Sequence, residues 1–162
     1  MPDLSKDTLL DFGQAYRKAA DYCVIQDRCI SEMQLKLSYW NIDNSCTDDI
    51  IKKLTDEGFL DEKRFAINYA GGKFRIKGWG KLKIAAGLRA RSVPSSLIQE
   101  ALATIDSTEY FLFLQSLLKK KLKQLGSKTP ASLQKAVFFA TSRGFEQGLI
   151  VSLLKNNEIP DL

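Results

Sequence analysis

The sequence has no histidine among its 162 residues. That removes Ser-His-Asp and Cys-His nucleophile pairs, and with them the commonest general base near neutral pH. Cysteine is scarce and odd in number. Cys23, Cys29 and Cys46 fit no disulfide framework, and a zinc site built on them lacks a fourth ligand. The expectation is therefore no metal, no cofactor, and reduced structural thiols in a cytoplasmic setting. No apolar run approaches the ~18 residues that suggest a membrane span. The first residues carry Asp3, Asp7 and Asp11, where an export signal wants basic charge. No phosphate-binding loop is present either. Gly71-Gly72 and Gly78-x-Gly80 lack the strand-loop-helix setting and the closing Lys-Ser/Thr. Together these absences argue against an enzyme and against a membrane partner.

Four prolines and ten glycines leave long uninterrupted stretches, in a chain that is 44% hydrophobic and 27% charged. This is a globular balance that favours helices. Leu9, Phe12, Tyr16, Ala19 and Cys23 recur at helical spacing. Ser31 is placed to cap a second helix. Ser45 or Thr47 is placed to cap a third, which ends at Gly58. A pattern then repeats: an apolar pair one turn apart, a loop, and a second such pair. It reads Met33/Leu37 with Ile50/Leu54, Ile84/Leu88 with Ile98/Leu102, and Leu133/Val137 with Ile150/Leu154. A longer helix precedes the second and third sets, the latter ending in a lysine run, Lys119 to Lys123, that suits a helix C-terminus. The pattern predicts an all-α fold: a tandem repeat of three three-helix units, elongated and curved. The units span 1–58, 59–105 and 106–157, with a tail at 158–162.

Charge is unevenly spread over these units. Residues 1–58 hold 7 basic and 11 acidic side chains, whereas residues 59–105 hold 9 basic and 3 acidic. All nine lie between Lys63 and Gln99, a stretch with no acid. An ordinary solvated helix mixes signs, because opposite charges one turn apart attract. A segment without acids points to a polyanionic partner or an acidic protein surface. The candidate contact residues are Lys73, Arg75, Lys77, Lys81, Lys83, Arg89 and Arg91, with Trp79 among them. Trp79 reads equally as a core anchor or as an exposed stacking residue.

The junction of the first two units reads Gly58-Phe59-Leu60-Asp61-Glu62-Lys63-Arg64-Phe65-Ala66, followed by Lys73-Phe74-Arg75-Ile76-Lys77-Gly78. This resembles the RecX family of recombinase regulators, as do the run from Asp27 to Leu37 and the segment Val93-Pro94 to Leu102. The resemblance covers roughly residues 16–156. It departs at Cys29-Ile30, where relatives often carry a basic residue before the capping Ser, and in the acidity of the first third. It implies a monomeric regulator that binds the RecA recombinase filament on DNA. Such a regulator inhibits RecA ATP hydrolysis, strand exchange and filament growth, within DNA repair, recombination and the SOS response. Contacts to single- or double-stranded DNA would be weak and non-specific. Apart from the family, the junction has a physical logic. Gly58 ends one helix, Asp61 caps the next, Phe65 plugs a seam, and Gly78 turns the chain. The alternative is a helical DNA-binding protein acting through non-specific phosphate contacts.

Overall fold

A computed structural model describes residues 10–159. Among them are nine α-helices and no strand. They are α1 (Phe12–Ile25), α2 (Ile30–Tyr39), α3 (Asn44–Asp56), α4 (Glu62–Arg75), α5 (Lys81–Arg89), α6 (Ser95–Ala103), α7 (Ser107–Leu125), α8 (Pro130–Ser142) and α9 (Gln147–Lys155). The chain forms two compact units. The first holds residues up to Phe65 together with 91–93, and the second holds 66–90 and the remainder from Pro94.

In the first unit, α1 opens with a capping box. The Gln14 N–H donates to Asp11 Oδ1 at 2.7 Å, and the Asp11 N–H donates to Gln14 Oε1 at 3.1 Å. Its buried face is Ala15, Ala19, Ala20 and Cys23. That corrects the expected stripe: Phe12 is exposed, Tyr16 is half-buried, and Leu9 falls outside the described residues. Alanines at the contact let α1 approach the other helices closely, while the core volume comes from Met33, Leu37, Ile50, Leu54 and Leu60. The expected caps also shift. Asp43, not Ser45 or Thr47, caps α3 by accepting from the Ser45 N–H at 3.0 Å. Cys29 stands at the N-cap of α2 without a side-chain bond. The N-terminus of α2 is satisfied from far along the chain instead: the Ile30 N–H donates to Glu62 Oε1 at 3.1 Å, and Ser31 Oγ donates to the Arg91 carbonyl at 2.7 Å.

The second unit repeats this device. Gly80 is the N-cap of α5, and the Lys81 N–H donates to Tyr110 Oη at 3.0 Å. The Gly80 and Leu82 N–H groups donate to the carbonyls of Arg143 and Gly144 at 2.8 and 3.0 Å. The approach is so close that a Cβ on Gly80 would stand 2.3 Å from the Gly144 backbone. Helix α8 has no following triplet among the described residues and caps itself, with Thr129 accepting from the Ser132 N–H and Pro130 opening the first turn. The core is aromatic at one end, where Phe74, Tyr110, Phe113 and Phe145 pack with ring centroids 5.2–6.0 Å apart. It is aliphatic along Ile84, Leu88, Leu114, Leu118 and Ile150.

The repeat is visible in the turn after the second helix of each triplet. Asn41, Ser92 and Gly144 all have positive φ, and each is followed by a buried apolar residue: Ile42, Val93 and Phe145. The apolar pairs hold in the first two triplets, except that Leu102 is half-buried. In the third they are out of register. Ala136 and Ala140 face the core of α8 in place of Leu133 and Val137, and Leu153 is buried in place of Leu154. Small residues on that face let α8 pack closely against its neighbours α7 and α9. Ile159, expected in a tail, is buried beside Leu122, Leu133 and Leu154.

Candidate nucleic-acid interface

Helix α4 ends in two basic residues, Lys73 and Arg75, which suit the negative end of its dipole. The chain then turns at Gly78, whose φ of +65° belongs to the left-handed region. A Cβ there would also meet Phe113 at 2.9 Å. The turn is closed by the Gly78 N–H donating to the Phe74 carbonyl and the Trp79 N–H donating to the Lys73 carbonyl, at 2.9 and 3.0 Å. Trp79 is thereby folded back beside the helix end. Lys73 Nζ and Lys83 Nζ each lie 4.7 Å from its ring centroid. The indole is half-buried, between the core anchor and the fully exposed residue that the sequence left open. Lysines over a ring whose rim still meets water form a cation–π site in contact with solvent.

The other basic residues divide into two groups. Lys77 and Arg89 are exposed, and Lys81 Nζ lies 4.9 Å from the Tyr110 ring. Among the described residues, no carboxylate pairs with Lys73, Lys77, Lys81, Lys83 or Arg89. Three arginines are committed differently. Arg75 reaches Glu109 at 3.3 Å, and Arg91, which belongs to the first unit, reaches Glu32 at 3.1 Å. Arg64 reaches Asp27 at 2.8 Å and also donates to the carbonyls of Gly58 and Phe59. The acid-free sequence stretch is therefore not acid-free in space, because acids from α2, α7 and the α1–α2 loop pair with it. Arg91 is partly buried in its pair, whereas Arg75 stays exposed while it reaches Glu109.

The junction residues sit as their chemistry dictates. Gly58, at φ +80°, closes α3, with the Phe59 N–H donating to the Leu54 carbonyl at 2.8 Å. Asp61 Oδ1 accepts from the Arg64 N–H at 2.9 Å at the start of α4. Phe65 is buried. The Tyr110 hydroxyl receives the Lys81 N–H and donates to Glu146 Oε2 at 2.6 Å. Burial, then the hydrogen bond to Glu146, pushes its pKa well above the usual tyrosine range. Cys23 and Cys29 are buried and Cys46 is half-buried, all as free thiols, and burial pushes the Cys23 thiol up. No group of three or more potential ligands is placed to hold a metal among the described residues, and no helix there is long and apolar enough to cross a membrane.

A second aromatic-basic cluster lies in the first unit, where the sequence reading placed none. Lys18 Nζ lies 4.4 Å from the Trp40 centroid, and the Arg28 guanidinium lies 3.9 Å from that of Tyr22. Lys36 Nζ stands 5.1–5.5 Å from Tyr22, Tyr39 and Trp40 together. Its signal is the i,i+4 spacing of Lys18 with Tyr22 and of Lys36 with Trp40, hidden by the net acidity of that third of the chain.

Residues 61–102 match a family model described as RecX, second three-helix domain. The chain is 28% identical over 125 residues to the regulatory protein RecX of Chlorobaculum tepidum, covering 77% of this chain and 76% of that protein. It is 32% identical over 114 residues to the protein of the same name from Pelodictyon phaeoclathratiforme, covering 70% and 69%. These relatives are named as regulatory proteins rather than enzymes. A crystal structure of RecX from Lactobacillus salivarius superposes with a TM-score of 0.83 at 20% identity, over 90% of this chain and 96% of that one.

Proposed function

The chain belongs to the RecX family, and we propose that it binds the RecA recombinase filament on DNA and restrains its ATP hydrolysis, strand exchange and growth. The observation that carries this reading is the half-exposed Trp79 with Lys73 and Lys83 over its ring, in a segment whose Lys77, Lys81 and Arg89 pair with no carboxylate among the described residues. It lies inside the segment that matches the family model. A nucleoprotein filament presents phosphate and acidic protein surface together. Mobile lysines meet both, and an indole edge adds apolar contact. The protein acts by occupancy, without a catalytic step, and the three helix triplets supply several modest contacts rather than one deep pocket.

The test is a three-way binding comparison: RecA assembled on single-stranded DNA, the same DNA bare, and RecA without DNA. The reading predicts tightest binding to the assembled filament, weakening with salt. Equal binding to bare DNA regardless of RecA would instead establish a non-specific DNA-binding helical protein.

A further inference from the structure

We propose that the first unit carries a second, separate site for single-stranded nucleic acid, built from Lys18, Arg28 and Lys36 around Tyr22, Tyr39 and Trp40. It rests on the reading of the chain as a regulator of a nucleoprotein filament, and it names a contact in the part of the chain whose net charge argues against one. The net acidity of residues 1–58 is not uniform. Asp27 is paired with Arg64, Glu32 with Arg91, and Asp56 with Lys52. Glu57 receives the Tyr16 hydroxyl, and Asp11 and Asp43 cap helices. Of the acids flanking the cluster in sequence, Asp27 and Glu32 are thus engaged elsewhere and Asp21 is exposed on α1, while Lys18, Arg28 and Lys36 form no ion pair among the described residues.

The side-chain types and their arrangement define the ligand. Helix α1 contributes Lys18 and Tyr22, α2 contributes Lys36 and Tyr39, and Trp40 follows directly. Tyr22 and Trp40 meet edge to face at 5.8 Å and brace each other against the core. Tyr39 does not join them in the interior: it is 78% exposed, with Lys36 Nζ 5.1 Å from its ring. Arg28 Nε is buried without a hydrogen-bond partner. The guanidinium itself lies on the Tyr22 ring near the two lysines, a concentration of cationic charge that suits an anion. A phosphate meets that charge, and an adjoining base stacks on the open Tyr39 ring. Backbone phosphates on cations with bases on aromatic faces is the chemistry of sequence-tolerant single-strand binding. The same chemistry recurs at Trp79. Each of the chain's two tryptophans is flanked by two lysines, although the two are not at equivalent places in the repeat.

Having only two tryptophans makes the sites separable in the full chain. In W79F, Trp40 is the sole indole, and in W40F it is Trp79. Titrating W79F with an oligothymidylate at low salt is expected to change Trp40 emission. In that background K18A/K36A is expected to abolish the change and to flatten the log–log salt dependence by about 1.4, from about 0.7 per single-strand phosphate. K18R/K36R is expected to restore both, with helical content unchanged throughout. An unmoved Trp40 signal while W40F still responds to the same strand overturns this site and leaves the Trp79 reading standing. Response to polyglutamate but not to oligothymidylate also overturns it, assigning the cluster to an acidic protein surface. A K18A/K36A variant that melts earlier yet keeps its affinity and salt slope reduces the cluster to an internal brace. Trp40 quenching in a protein indifferent to RecA supports this site and contradicts the function proposed above.

Discussion

The backbone N–H of Ile30 donates to the carboxylate of Glu62, 32 residues further along the chain, at 3.1 Å. Helix α2 thus begins without a cap of its own and borrows one from the first turn of α4. Glu62→Ala should destabilise the protein by about 1 kcal/mol, the ordinary value of an N-cap. Glu62→Gln keeps an acceptor and should cost less. Urea titration of the two variants checks the order.

Glycine substitutions should differ in sign. Gly80→Ala forces a Cβ to 2.3 Å from the Gly144 backbone, and Gly144→Ala adds a positive φ to a 2.3 Å clash with Lys83. Each should cost about 1–3 kcal/mol or more. Gly72→Ala, inside α4 with nothing within 4 Å of the added atom, should stabilise by about 0.5–1 kcal/mol. Thermal midpoints of the three variants decide the point.

Stability should fall at alkaline pH. The Tyr16 pKa is raised to about 12, first by loss of hydration and then by the hydrogen bond to Glu57, and that of Tyr110 is raised by burial and Glu146. A folded pKa above the unfolded one gives stability that is complete below about pH 10, the unfolded value. That stability is lost as pH rises through the folded value. Tyr110→Phe should weaken the fold at neutral pH by about 1–3 kcal/mol, because the Lys81 N–H loses its acceptor. It should also make the alkaline decline shallower. Unfolding curves at neutral and alkaline pH for wild type and variant test both.

The salt dependence of filament binding should report the lysines around Trp79. Lys73→Ala with Lys83→Ala removes both cations from the indole. If each meets a single-strand phosphate, the log–log slope flattens by about 1.4. Arg91→Ala, whose guanidinium is held by the partly buried Glu32, should change stability more than slope. Fluorescence anisotropy over a salt series separates the two effects.

Much of the fold was legible locally. Helical spacing and the left-handed glycines marked the elements, and the Asp61 cap followed from residue type. What was not legible depends on partners distant in sequence. Ser31 looked like a cap but donates to Arg91, and the Lys63–Gln99 stretch looked free of acid while Asp27, Glu32 and Glu109 reach it in space. The register slip in α8 has a packing cause: Leu133 and Val137 are the more hydrophobic, but the small Ala136 and Ala140 occupy its buried face. Trp79 was recognised as a candidate contact because it sits among lysines close in sequence. Trp40 was not, because the acidity of that third of the chain hides Lys36 one turn before it and Lys18 lies a helix away.

The central claim is restraint of RecA, and the most direct measurement is RecA-dependent ATP hydrolysis on single-stranded DNA as this protein is added. The account predicts that hydrolysis slows at less than one molecule per recombinase, and that Lys73→Ala with Lys83→Ala blunts the effect while the helical signal is kept. Unchanged hydrolysis at low salt and a large molar excess of folded protein would contradict it.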